Sequence, residues 1–300
     1  MVKIVNCPIC DSKCSFFIKK EKYKYYLCTA CSHLFIYPTP AMSIIEGLYA
    51  STKFKSNYVK SNRFRKDFIR HITELKKIKP NGKILDIGCS DGEFLYLARK
   101  NNYDIQGIEL DQTKVRIARK NKIPIFAGLL DDFIKNRKKE LYDIVILGDV
   151  IEHIPNPLNL IATINKIIKP DGVFIIKTPN YKSFFPSVTL FLSRFLGVPC
   201  SHLTPPAHIH QFDKKSLLYL LKKNGFYEIK SYFYPVSFRY ELISTKVVFD
   251  FKKQTKVFNK IYYFFRAILT ILFYVIIFII DKILFFKNRD MQMTIIARKK

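Results

Sequence analysis

Acidic residues are scarce in this sequence: 24 Asp and Glu stand against 51 Lys and Arg, a formal charge of +27 over 300 residues. That shortage excludes an acidic chain and favours an anionic partner, whether nucleic acid, phospholipid headgroups or a phosphorylated substrate. The excess is spread along the chain rather than blocked, so a generally lysine-rich composition accounts for it equally well. Internal repeats and low-complexity linkers are missing too, which excludes repeat arrays and strings of tethered modules. Met1–Cys14 hold no apolar run, so no secretory signal peptide is expected there. What is present is apolar: 49% of the residues are hydrophobic. That is enough for a sizeable core, and the length suits one catalytic domain with small additions.

Seven cysteines occur, and four of them form two tight pairs. Cys7-Pro-Ile-Cys10 is followed after 17 residues by Cys28-Thr-Ala-Cys31. A CxxC pair suits a tight knuckle that aims two thiolates at one ion, and two knuckles complete a tetrahedral zinc site. Residues 1–40 therefore read as a zinc ribbon, its metal structural and its binding energy used to fold a segment too small to fold alone. Metal-binding rather than disulfide-forming cysteines imply a reducing, cytoplasmic setting. Cys14 and His33 have no assigned role in this reading. A ribbon can grip nucleic acid or protein, so it does not by itself name a substrate.

Residues 41–80 read as an N-terminal helical segment, with a helix over 60–79 where Phe64, Phe68, Ile69, Ile72, Leu75 and Ile78 recur at helical spacing. From Lys83 the apolar runs KILDIG, DIQGIEL, IPIFAG, YDIVILGD and VFIIKTP alternate with charged, helix-like stretches. Runs of this kind suit strands buried on both faces, and the alternation implies a parallel sheet between helices. DKKSLLYLLKKNGF predicts a helix with Asp213 as N-cap and Gly225 at its end. Strands are expected around Tyr227–Tyr234 and Met291–Arg298. Residues 180–212 form a long Pro-rich connection, a length usually found in functional loops.

After the first of these strands comes Asp86-Ile-Gly88-Cys-Ser90-Asp-Gly92, then a helix-like stretch. A glycine turn between strand and helix lets a ligand approach the backbone, and the helix N-terminus offers free N–H groups. Glu109, at the end of the next strand, is placed to bind two ribose hydroxyls. LDIGCSDGEFL and GIELD resemble the first two signatures of class I S-adenosylmethionine-dependent methyltransferases. GDVIEHIPNP, KPDGVFIIKTPN and HIHQFDKKSLLYLLKKNGF resemble segments of the ubiquinone-biosynthesis O-methyltransferase-like branch. The resemblance covers roughly residues 80–235 and the final strand. It implies a Rossmann-like α/β sheet with flanking helices over 81–235, completed by strand 290–300. It also implies S-adenosylmethionine contacts from Asp86, Gly88, Ser90, Gly92, Glu109, Leu130, Asp131, Gly148 and Asp149. Ser90 stands where this family usually has glycine. An NAD-type reading fits less well, because the third glycine of GxGxxG is out of register.

Methyl transfer is a direct displacement, so the protein mainly orients the partners and removes a proton where one must leave. His153 follows the fourth strand and is the first candidate base, with packing in the turn as its structural alternative. The resemblance also implies that Asp149, Glu152 and His153 can hold magnesium, and their spacing would put them on one helical face. His202, His208 and His210 cluster in the long connection, and the resemblance favours His208 and His210 as catalytic walls of the substrate pocket.

Residues 236–289 hold the most apolar segment. Ala267–Ile280 are 14 charge-free residues, and extension to Ile261 gives 20 with only Arg266 charged. A single crossing would strand the final strand on the far side of a membrane. An interfacial, re-entrant or buried helix over 261–286 is therefore expected, attached to the inner face of the membrane where basic residues meet anionic lipid. The reading is a methyltransferase acting on oxygen, ahead of carbon or nitrogen, of a small-molecule or lipid-linked acceptor, a glycan or a polyprenylated ring. Two alternatives stand beside it: an RNA methyltransferase using the ribbon and basic surface, and a non-catalytic membrane adaptor with the same fold.

Overall fold

The computed structural model describes residues 4–50, 62–136, 140–196, 200, 202–234 and 291–300, with positions 272, 275, 276 and 279. The expected apolar insertion otherwise lies outside the described residues.

The N-terminal part forms β1 (Val5–Asn6), β2 (Lys13–Lys20), β3 (Tyr23–Leu27) and β4 (Leu34–Ile36), then α1 (Met42–Ala50) and α2 (Asn62–Ile78). Alternation follows: β5 (Lys83–Ile87), α3 (Glu93–Lys100), β6 (Asp104–Glu109), α4 (Gln112–Lys120), β7 (Ile125–Ala127), α5 (Leu130–Asn136) and β8 (Tyr142–Gly148). A short 3-10 turn, Ile151–His153, leads to α6 (Pro157–Ile167) and β9 (Ile168–Pro179). The chain ends with α7 (Phe184–Leu196), β10 (His210–Gln211), α8 (Lys214–Lys223), β11 (Phe226–Tyr234) and β12 (Gln292–Lys299).

Seven strands make one sheet in the order β11-β12-β9-β8-β5-β6-β7. The β9-β8-β5-β6-β7 neighbours are parallel, and β12 enters antiparallel between β9 and β11. The final strand thus sits inside the sheet, with Met293, Ile295, Ile296 and Ala297 fully buried. Successive side chains point to opposite faces, as the pleat requires. Leu85, Ile87, Val145, Leu147, Phe174 and Ile176 join one core with Leu217, Leu220 and Phe226. Ile84, Ile144, Ile146, Val173 and Ile175 join the other with Leu75, Phe94 and Leu95. Burial on both faces is the reason these strands read as continuous apolar runs.

Local signals set the helix ends. The Asp213 carboxylate accepts from Ser216 N at 2.8 Å, and the Ser216 hydroxyl lies 3.0 Å from Asp213 N, a reciprocal cap for α8. Asn156 caps α6 through Asn159 N, with Pro157 in its first turn.

The ribbon is not a free-standing unit. The order β1-β2-β3-β4-β10 makes a five-stranded antiparallel sheet whose last strand comes from the long 180–212 connection. His210 pairs with Phe35 and Gln211 with Leu34. An edge strand left open would expose unpaired backbone groups, and β10 covers that edge. The connection also contains the helix α7, where its proline content and length suggest loop. Leu190 of α7 packs with Ile18, Tyr25, Leu34, Leu203 and Ile209 in a third core. The Arg194 guanidinium lies 4.9 Å from the Phe17 ring centroid.

Candidate active site

β5 is the switch point of the large sheet, with β6 on one side and β8 on the other. Ligands of open α/β sheets bind outside the strand ends at such a point. Gly88 follows β5 with φ of 77°, and a Cβ built there would lie 2.4 Å from Val150 Cγ2. Only glycine satisfies both the left-handed backbone and that approach. Ser90 also adopts positive φ, 54°. Its backbone N–H donates to Glu109 Oε2 at 2.9 Å, while Leu110 and Asp111 N–H groups donate to Oε1, both at 2.8 Å. Three backbone donors therefore fix the Glu109 carboxylate at the end of β6. Asp86 is buried at the end of β5, where burial, and then the Glu109 charge, push its carboxyl up to about 7.

Leu130, buried, and Asp131, exposed, open α5. Gly148 closes β8, and a Cβ there would meet nothing within 4 Å among the described residues, so the strand end faces open space. Asp149 follows with φ of 55° and pairs with Lys177 Nζ at 3.1 Å. A carboxylate fixed by three backbone donors, a buried acid and a glycine facing open space thus gather at the ends of β5, β6 and β8.

The turn after β8 carries Glu152 and His153, 2% and 8% exposed. Thr178 Oγ1 donates to Glu152 Oε2 at 2.9 Å. His153 Nδ1 lies 2.7 Å from the Ala207 carbonyl, which makes Nδ1 the protonated nitrogen and leaves Nε2 the lone pair. The His153 and His208 rings meet edge to face at 4.8 Å. Burial lowers both imidazoles, His208 to about 3, and raises Glu152 to about 8 with help from the Asp149 charge. Donor atoms of Glu152, His153 and His208 lie within 4.8 Å of one another. The expected helical face of Asp149, Glu152 and His153 does not form. Asp149 is left-handed and bound to Lys177, and a three-residue 3-10 turn replaces the helix.

In the ribbon, Cys7 and Cys31 Sγ atoms are 3.5 Å apart and those of Cys10 and Cys28 are 3.4 Å apart. All four lie within 4.8 Å of one another. Asp11 N donates to Cys7 O and Ser32 N to Cys28 O, closing the two knuckles. Four converging sulfurs suit a tetrahedral zinc site.

The three histidines of the connection have separate surroundings. His208 meets His153, His210 turns away into the ribbon against His33, and His202 feels the Lys20 charge. His210 is 1% exposed, because β10 pairs with β4 and carries it into that interface. Sequence reasoning missed Lys177 and Thr178, although both stand in the KTPN run. It also missed His71, which burial lowers to about 4 and which feels Lys177. The one signal for His71 was a polar residue on the apolar stripe of α2.

A family model described as Methyltransferase domain (Methyltransf_23) matches residues 60–231, more than half of the chain. The chain belongs to the class I S-adenosylmethionine-dependent methyltransferase family. Among curated relatives, the ubiquinone biosynthesis O-methyltransferase of Actinobacillus pleuropneumoniae serotype 7 is 26% identical over 166 residues, covering 51% of this chain and 66% of that protein. The protein of the same name from Hydrogenovibrio crunogenus is 29% identical over 163 residues, covering 52% and 63%. The chain thus spans just under two thirds of the length of these relatives. Among solved structures, the cyclopropane synthase MmaA2 from Mycobacterium tuberculosis gives a TM-score of 0.53 at 16% identity, covering 88% of this chain and 100% of that one. The [4+2]-cyclase SpnF gives 0.52 at 18%, covering 87% and 98%. At such identities the likeness concerns the fold.

Proposed function

We propose that this chain transfers a methyl group from S-adenosylmethionine to an oxygen of a small or lipid-linked acceptor. The observation that carries the reading is the facing pair of His153, buried, and His208, half-buried, whose rings meet at 4.8 Å in and beside the turn after β8. The cofactor supplies an activated methyl group. Asp86 and Glu109 would hold its amino acid and ribose parts, Leu130 and Asp131 would border its adenine, and Gly148 and Asp149 would lie toward its methyl end. An acceptor hydroxyl must lose a proton as it is alkylated, and the lone pair of His153 Nε2 can take it. The four ribbon cysteines would hold zinc.

Oxygen as the accepting atom is supported by the O-methyltransferase names of the relatives. A lipid-linked acceptor is supported by the exposed Leu272, Ile276 and Ile279, which recur at helical spacing within 261–286. With the basic residues around them they suit contact with the inner membrane face. No helix among the described residues is long and apolar enough to cross a membrane.

The test is calorimetric binding of S-adenosylhomocysteine, followed by methyl transfer to phenolic polyprenyl and lipid-linked glycan acceptors. Micromolar binding, lost in a folded Glu109→Ala protein, and product methylated on oxygen are expected. A folded native protein that binds no S-adenosylhomocysteine would overturn the reading and favour the adaptor.

A further inference from the structure

We infer that His33, on the ribbon, is a positioning residue for the acceptor-side histidines, and that the metal at the four cysteines is what holds His33 in place. The inference rests on the reading of His153 and His208 as the acceptor side.

The second knuckle ends at Cys31, and the two residues after it reach directly into the methyltransferase domain. The Ser32 carbonyl accepts from Tyr181 OH at 2.6 Å. The Ser32 hydroxyl meets Lys182 Nζ, which pairs with Asp213 at 3.1 Å. His33 is 0% exposed, and its Nε2 lies 2.9 Å from His210 Nδ1. Its ring stacks on Phe35 at 5.5 Å, on His210 at 5.0 Å and against Phe212 at 4.8 Å. A bond between two imidazole nitrogens requires one donor and one acceptor, so it fixes ring orientation as well as position.

From His210 the path to the acceptor side is one residue long. Ile209 N donates to Glu152 O at 2.8 Å, and Ile209 O accepts from Ile36 N at 2.9 Å. This peptide is therefore clamped between β4 of the ribbon and the turn bearing Glu152. Ala207, two residues back, holds His153 Nδ1. His208 lies between these anchors and faces His153. The acceptor histidines depend on a segment of four residues, 207–210, that the ribbon braces along one side. The cofactor carboxylate is held differently, by backbone groups of Ser90, Leu110 and Asp111. Loss of the ribbon's order should thus displace the acceptor side and leave the cofactor side in place. The ion matters because a ribbon of this size takes its folding energy from metal binding.

The test uses the full-length zinc-loaded protein labelled uniformly with 15N. His33→Phe keeps the ring contacts and removes the nitrogen–nitrogen bond, and His33→Gln restores a polar partner. Three quantities are read: zinc content, S-adenosylhomocysteine affinity, and the ring-nitrogen resonances of His153 and His208 with the exchange rate of the Ile209 amide. For His33→Phe we expect one zinc per chain, affinity within about twofold, shifted His153 and His208 resonances, and Ile209 exchange at least about tenfold faster; His33→Gln should lie closer to native. Unchanged His153 and His208 resonances in a folded His33→Phe protein overturn the inference. Should that variant lose its zinc, native protein stripped by a chelator decides: altered histidine resonances with retained cofactor affinity support the coupling, and unaltered resonances overturn it. A native protein without S-adenosylhomocysteine affinity would instead count against the proposed function, since the histidine resonances report the coupling independently.

Discussion

The backbone N–H of Ser90 donates to the Glu109 carboxylate at 2.9 Å, from a residue whose φ of 54° lies in the left-handed region that favours glycine. The bond uses only backbone, so the serine side chain is not needed for it. Ser90→Gly should leave S-adenosylhomocysteine affinity within about twofold. Glu109→Ala removes the acceptor of three N–H groups together with the proposed ribose ligand. Its affinity should fall at least about a hundredfold, on the order of 3 kcal/mol. Calorimetry on folded variants checks both.

Gly88 has no room for a side chain. Gly88→Ala places a methyl 2.4 Å from Val150 Cγ2 at φ of 77°. We expect a loss of about 1–3 kcal/mol in denaturant-measured stability. Adding Val150→Ala should recover only part of it, because the backbone strain stays. Complete recovery would mean that the clash alone mattered.

His153→Ala and His208→Ala should separate transfer from cofactor binding. Turnover should drop by about a hundredfold or more, the scale of general-base loss. S-adenosylhomocysteine affinity should stay near native. Equal losses in both quantities would place these rings on the cofactor side instead.

Glu152 makes stability depend on pH. Its folded value is raised from 4.5 to about 8, by burial first and the Asp149 charge second. The stability this acid contributes is whole below pH 4.5 and is lost as pH rises through about 8. Glu152→Gln stays neutral throughout. The melting temperature of the variant minus that of the native protein should therefore rise by several degrees between pH 5 and pH 9, measured without divalent ions. A difference flat across that window would show that Glu152 titrates normally.

The sheet, the glycine turn, Glu109 and the cysteine knuckles were legible because each depends on local pattern. Buried apolar runs, a left-handed turn and CxxC spacing all announce themselves within a few residues. The acceptor side was only half legible. His153 and His208 lie 55 positions apart, counting from 153 to 208, and meet because the long connection folds back over the turn after β8. The cluster of His202, His208 and His210 in sequence suggested one site, yet strand pairing with the ribbon sends His210 to His33. Nothing local announces β10, two residues long, whose partner lies about 175 positions earlier. Asp149 misled for the opposite reason: helical spacing was assumed across a turn that its own left-handed backbone breaks.

β11 and β12 are antiparallel neighbours, and Tyr234 is the register partner of Gln292. The chain leaves the sheet after Tyr234 and returns to it at the same rung of one ladder, so the residues between are an insertion within one pair of strands. Loop-closure entropy grows only with the logarithm of length, so a long loop there costs the sheet little more than a short one. An insertion at that point can therefore change in length or composition while the strand order, and the strand ends of β5, β6 and β8 that carry Asp86, Glu109 and Gly148, stay as they are.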